Sequence, residues 1–313
     1  MLFLKGGDSM NQWSMPVQKM IDWIEHNIEN NPTLLGMSNE VGYSPYYCSN
    51  LFHKICGMTL RSYLAGRRLC YVALALRDTA DRIIDIALRY GFSSQEALTR
   101  AFVKAYGCTP YSYRMNPKPI KLSIKQVVLN PDKNLFGGKG MCTVKEANVR
   151  FEYIPAHKYI GIRDIRAKGY GDFWEYHNCD EVCGIIDSMR HVSFEVVGCH
   201  QAGWFYENGQ KGYFYGFGVP CDYNGIVPEG FEIYDIPAST YLVFFHPAFD
   251  YLVDNDEVMG KVEDLAWNFN PKANNKAWWI PSGYEWNEAV CPAYQRHFPE
   301  VLGYEVLRPV KKL

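Results

Sequence analysis

Residues 83–102 read IIDIALRYGFSSQEALTRAF, Ile83 through Phe102, and the reversal inside them decides the fold of the front half. RIIDIALRY is a short amphipathic stretch. Gly91 follows where the chain must turn within three or four residues, a place where a positive φ is cheap only for glycine. Apolar residues resume at Ala97, Leu98, Ala101 and Phe102, the spacing of a helix with one buried stripe. Ser93 is placed to cap that helix through its hydroxyl. Gln95, Glu96, Thr99 and Arg100 are left on its other faces. Their chemistry suits base edges: glutamine pairs with adenine, arginine with guanine, and threonine with a base edge or a phosphate.

The pattern occurs twice. GYSPYYCSNLFHKICGMT (Gly42 to Thr59) and GFSSQEALTRAFVKAYGCT (Gly91 to Thr109) share Gly, an aromatic and Ser, then Phe-x-Lys-x-x-Gly-x-Thr, with one extra residue in the second copy. LLGMSNEV precedes the first copy as RIIDIALRY precedes the second, so each reads as helix, turn, helix. The first copy offers Tyr46, Ser49 and Asn50 on the equivalent face, with His53 and Lys54 nearer the phosphates. Polar residues on one solvent face need mean nothing; their recurrence in two copies argues for a shared task. Between the copies, Thr59 to Thr79 is apolar at Leu60, Leu64, Leu69, Val72 and Leu76, which predicts one helix about 30 Å long at ~1.5 Å per residue. A turn of B-DNA is roughly 34 Å, so such a rod can hold two reading helices in successive major grooves. Gly66 is expected to weaken it, and Arg61, Arg67 and Arg68 to serve its solvated or phosphate-facing side.

IIDIALRYGFSSQEALTRAFVKAYGCTPYSYR, with the linker helix and the first helix-turn-helix, resembles the signature of the AraC/XylS family of transcription regulators over about Pro16 to Arg114. The resemblance implies an all-α double helix-turn-helix domain at 10–116 that binds double-stranded promoter DNA, with RNA polymerase as a further partner. Its base-reading positions fall on Tyr46, Ser49 and Asn50, and on Gln95, Glu96, Thr99 and Arg100; Lys54 and Lys104 join them as DNA-binding residues. Several relatives carry a long basic or amide side chain where this chain has Ser49 and Asn50, so base specificity there stays open. A linker is expected at 117–144, mixing a short strand or extended arm with a joint near Gly137 to Gly140.

The back half also repeats. FEYIPAHKYIGI (Phe151 to Ile162) and FEIYDIPASTYLVFF (Phe231 to Phe245) both read as strand, Pro turn, strand. Helices are expected over Asp172 to Arg190 and about Asn255 to Phe269, with further strands in VSFEVVGC, KGYFYGFGV and YEVLRPV. Two strand-helix-strand units of this kind meet in one sheet and form a cleft where they join. Six tryptophans lie here, either as core or as walls for a flat apolar or cationic molecule. FEIYDIPASTYLVF, WIPSGYEW and YEVLRPVKK are similar to the GyrI-like effector-binding domain that Rob-like regulators carry, over roughly Val149 to Lys311. That resemblance implies an α+β domain at 145–313 binding a small molecule, with Trp174, Glu175, Trp204, Tyr215, Trp279, Gln295 and Glu300 as candidates. Many relatives have a glutamate where this chain has Gln295, which weakens the expectation of a cationic ligand unless Glu300 supplies the charge.

Composition bounds these readings. The chain has 313 residues, 48% hydrophobic, enough for two cores. Residues 1–120 carry 13 Lys+Arg against 9 Asp+Glu, and the remainder 19 against 25, so only the front half suits a polyanion. Neither an export signal nor a membrane span is readable, and the protein is expected to be cytoplasmic and nucleoid-associated. Ten irregularly spaced cysteines read as reduced thiols, most of them buried. No nucleophile-base-orienter set, phosphate-cradling loop or nucleophile elbow appears, so no catalytic residue, metal or cofactor is assigned. His177, Cys179, Cys183, Cys199 and His200 are a loose lead for metal, and Cys179 with Cys183 for a redox pair, against ordinary buried thiols. The alternative to a regulator is a small-molecule hydrolase or a drug- or toxin-sequestering binder with secondary DNA binding.

Overall fold

The computed structural model describes residues 14–126, 128, 145–278, 280–298 and 303–313. It divides into one unit of 1–135 with 179–191, and another of 136–178 with 192–313. The joint expected near Gly137 to Gly140 lies outside the described residues.

The front unit is helical: α1 Ser14–His26, α2 Leu34–Val41, α3 Pro45–Cys56, α4 Leu60–Asp78, α5 Ile83–Arg89, α6 Gln95–Tyr106 and α7 Pro110–Met115. The starts of five of them are fixed by hydroxyls: Thr33, Ser44, Thr59, Ser94 and Thr109 each accept from the N–H three residues on, which satisfies an otherwise orphaned donor. The cap of α6 is therefore Ser94, one residue after the expected Ser93. Phe52 and Phe102 are fully buried, each contributing roughly 2–3 kcal/mol, and pack with Met20, Tyr63, Val72, Leu76, Leu98 and Tyr113 in one core.

One expectation about the rod gains a packing reason and another is overturned. Gly66 is a notch: a Cβ there would meet Ser123 Cβ at 3.0 Å and Oγ at 2.8 Å. Residues 120–126 cross α4 at this point as an irregular strap with Ile120, Leu122 and Gln126 buried. Arg67 is also inside, 7% exposed, because Glu25 draws it there. Neither solvent nor phosphate meets it.

The expected helix over Asp172 to Arg190 is two helices, α8 Tyr170–Tyr176 and α9 Cys179–Ser188. His177 between them is extended, its Nε2 lying 3.0 Å from Asp164 Oδ2. Helix α9 packs in the front unit. Its Gly184 leaves room for the strap, since a Cβ would lie 2.2 Å from the Leu122 carbonyl oxygen. The Ile120 N–H donates to Ser188 Oγ at 3.1 Å, and Arg77 donates to the Asp187 and Ser188 carbonyls that end the helix.

The back unit is one antiparallel sheet with strands β1 Asn148–Ile154, β2 His157–Asp164, β3 Gln201–Glu207, β4 Gln210–Pro220, β5 Glu232–Ile236, β6 Ser239–His246, β7 Tyr284–Trp286, β8 Ala293–Phe298 and β9 Gly303–Lys312, and with helix α10 at Tyr251–Asn268. VSFEVVGC forms no strand. The strand order β1-β6-β9-β8-β3-β4-β2-β5 reads the same from both ends when the two repeats are exchanged, which places a pseudo-twofold axis between β8 and β3. Each repeat lends its first strand to the other: β1 pairs with β6 and β5 with β2. Pro155-Ala156 and Pro237-Ala238 tie the two ends of the path together, so the sheet curls. Ile154 from one edge and Ile236 from the other share a core with Tyr159, Phe214, Tyr241 and Tyr294.

Candidate functional site

Helices α3 and α6 are matched from end to end. Their caps Ser44 and Ser94, and the left-handed glycines Gly57 and Gly107 that stop them, are each 50 positions apart. The extra residue of the second copy therefore falls in its turn. In this frame Tyr46 corresponds to Glu96, Ser49 to Thr99, Asn50 to Arg100 and Lys54 to Lys104, while Gln95 takes the place of Pro45. Tyr46 is 79% exposed. Asn50, Lys54, Gln95, Glu96, Arg100 and Lys104 are exposed too, and Ser49 and Thr99 are half-buried. The Thr99 hydroxyl donates to the Gln95 carbonyl of its own helix at 2.8 Å, which commits its proton within the helix. The Ser94 hydroxyl holds the Glu96 carboxyl below the ordinary range, with a smaller contribution from Arg100.

Helix α4 between them runs unbroken for 19 residues, about 29 Å at ~1.5 Å per residue. It is anchored through Glu25 of α1. Arg67 Nη2 and Nε donate to the two Glu25 oxygens at 2.7 and 2.8 Å, and the Tyr63 and Tyr71 hydroxyls donate to the same carboxylate. Arg67 Nη1 reaches the Ser123 carbonyl of the strap. Burial pushes the Glu25 carboxyl up, but Arg67 and the two tyrosines outweigh it and hold it below the usual range. Periodicity hides this arginine, because a guanidinium at a core position looks like a break in the apolar stripe.

In the back unit, Trp204, Tyr213, Tyr215 and Gln295 come together beside the pseudo-twofold axis. Trp204 meets Tyr213 and Trp267 edge-on, with ring centroids 5.4 and 5.0 Å apart. Gln295 is buried; it accepts from the Tyr213 hydroxyl and donates to the Tyr304 oxygen at 2.6 Å. Tyr304 donates in turn to Glu263 of α10, whose carboxyl burial pushes above its ordinary range. Trp174 of α8 meets Tyr215 edge-on at 4.8 Å, and its buried Nε1 has no hydrogen-bond acceptor among the described residues. Glu175 is exposed. Trp279 and Glu300 lie outside the described residues. Sequence reasoning missed Glu263 and Trp267, whose helix periodicity marks only the apolar stripe. It also missed Lys211 and Arg308, whose charged groups lie 4.5 and 4.7 Å from the Trp267 centroid. No group of three or more His, Cys, Asp and Glu among the described residues is placed to hold a metal ion. No described helix is long and apolar enough to cross a membrane.

Residues 37–116 match a family model described as a helix-turn-helix domain. The transposon Tn10 TetD protein of Escherichia coli is 41% identical over 100 residues, which are 32% of this chain and 72% of that protein. The multiple antibiotic resistance protein MarA of E. coli K12 is 34% identical over 105 residues, 34% of this chain and 83% of MarA. The right origin-binding protein of E. coli K12 is 36% identical over 102 residues, 33% of this chain but only 35% of that protein. Matched helix-turn-helix pairs on an unbroken connecting helix, and the alignment of TetD and MarA over most of their own length, agree: the chain is a DNA-binding transcription regulator and belongs to the AraC/XylS family.

Proposed function

We propose that α3 and α6 enter successive major grooves of promoter DNA, reading an asymmetric site, while the back unit binds a small molecule that biases the reading state. The observation that carries the first part is the matched capping of two 12-residue helices on either side of one unbroken 19-residue helix. Tyr46, Ser49 and Asn50 face bases from α3, and Gln95, Glu96, Thr99 and Arg100 from α6, with Lys54 and Lys104 on phosphates. The internally bonded Thr99 hydroxyl points to a methyl contact with thymine, and Glu96 to a cytosine amino group. In the back unit, the unpartnered Trp174 Nε1 and the Gln295 relay suit a flat ligand offering a hydrogen-bond acceptor. Lys211 and Arg308 already cover Trp267, which favours an uncharged molecule over a cation. Regulation follows if the ligand binds one conformational state better than the other.

Selecting duplexes from a random pool with the full-length protein tests the reading. The expected motif is asymmetric and extends over nearly two turns, and affinity falls steeply with salt. Equal affinity for selected and random duplexes refutes it. For the second part, a library of flat uncharged aromatics should quench tryptophan fluorescence in the wild type and not in Gln295→Leu.

A further inference from the structure

Helix α9 opens with two cysteines on one face, Cys179 and Cys183, whose sulfur atoms are 3.6 Å apart. Cys183 is buried and Cys179 half-buried, so Cys179 is the more accessible of the two thiols and Cys183 lies behind it. We propose that this pair is a modification site: a hydroperoxide oxidises it to a disulfide, and closing the disulfide peels the first turn of α9 from the strap.

The chemistry needs the peroxide as oxidant. The Cys179 sulfur attacks one peroxide oxygen; the O–O bond breaks, an S–O bond forms, and water or an alcohol leaves with the thiol proton. The Cys183 sulfur then attacks the Cys179 sulfur, the S–O bond breaks, and a second water leaves. The two sulfurs lose two electrons and the peroxide gains them. The hydrogen bond from Cys183 holds the Cys179 thiol below the ordinary range, which raises the thiolate fraction at the accessible sulfur.

The consequence follows from helix geometry. Residues four apart on a helix hold their Cβ atoms about 5–6 Å apart, whereas a disulfide holds its Cβ atoms roughly 3.5–4.5 Å apart. Closing the bond must therefore draw these Cβ atoms together by about 1–2 Å, and the end that gives is the one with no helical turn before it. Cys179 is that end, since it is the first residue of α9 and lies two residues after the extended His177. The residues that move with it are those that grip the strap: Asp180 accepts from Gln126 at 3.1 Å, and Glu181 pairs with Lys121 at 2.9 Å. A disulfide strained in this way is readily reduced again, as a reversible signal requires.

The test treats reduced full-length protein with hydrogen peroxide, alkylates the remaining thiols, and maps peptides by mass. The expected product is the peptide carrying both residues short of two hydrogens, restored by a thiol reductant. Amide exchange in residues 180–184 and 120–126 should quicken at least about ten-fold on oxidation. Cys183→Ser should stop at a trapped sulfenic acid on Cys179, with no change in exchange. Oxidation of the exposed Cys221 ahead of this pair overturns the proposal, and so does a disulfide that leaves exchange unchanged.

Discussion

Replacing Glu25 by alanine should cost the front unit more than any single change on its surface. The carboxylate and the Arg67 guanidinium are about one-tenth exposed, and Arg67 has no other carboxylate within reach among its hydrogen bonds. Removing Glu25 strands a buried cation and deprives Tyr63 and Tyr71 of their shared acceptor, a loss of roughly 3–5 kcal/mol. Glu25→Gln keeps an acceptor but not the charge and should cost less. Replacing both partners by apolar residues, as in Glu25→Leu with Arg67→Met, should recover much of the loss, because the penalty comes from the uncompensated charge and not from missing attraction. Hydrogen exchange of the α4 amides in the full-length protein, followed in urea, reads the stability of this unit without interference from the other. Glu25→Ala lowering it by less than about 1 kcal/mol would falsify the account, since a loss that small belongs to a surface pair. The pH dependence has a fixed sign. Because the folded carboxyl is held below its ordinary value of 4.5, its contribution is complete above that value and is lost as pH falls through the depressed folded one.

Four further outcomes follow. Gly66→Ala should destabilise even though alanine favours an isolated helix by about 1 kcal/mol over glycine; thermal unfolding decides the sign, and a stabilised variant would mean the strap does not dock on α4. Gly184→Ala should be worse, because its new Cβ meets backbone that cannot rotate aside, and the same melt should show the larger shift. Arg100→Ala should weaken the selected duplex by roughly 1–3 kcal/mol and relax one base position, whereas Lys54→Ala should weaken all duplexes alike and reduce the salt slope; binding at several salt concentrations separates the two. Buried His157, which lies 2.7 Å from the Tyr294 hydroxyl, is pushed below its ordinary 6.5 mainly by burial, so back-unit stability should fall as pH drops below that value, and His157→Gln should flatten the slope.

The elements most legible in the sequence were those whose periodicity and end signals agree. Helices α3 and α6 carry a hydroxyl cap, an apolar stripe and a terminal glycine, and α4 carries five regularly spaced aliphatics, so local chemistry sufficed. The exchange of β1 and β5 was not legible, because hydrogen bonding between distant strands leaves no mark on either hairpin-like stretch. The strap was not legible either: KLSIKQ has no period, and what fixes it is room left by Gly66 and Gly184 on helices far apart in sequence. Of the back cluster, aromatic density pointed to Trp204 and Tyr215, while Glu263 became visible only once Tyr304 was seen to bridge it to Gln295.

The lending of first strands between the two sheet repeats has a practical corollary. A cut anywhere in 221–231 would leave β1 on one fragment and β5 on the other, each able to satisfy its backbone only against strands of the opposite piece. Neither fragment is self-sufficient, yet together they are a clasp with two hooks. Separately expressed pieces should therefore reassemble on mixing, which makes that loop a natural place to build a split reporter.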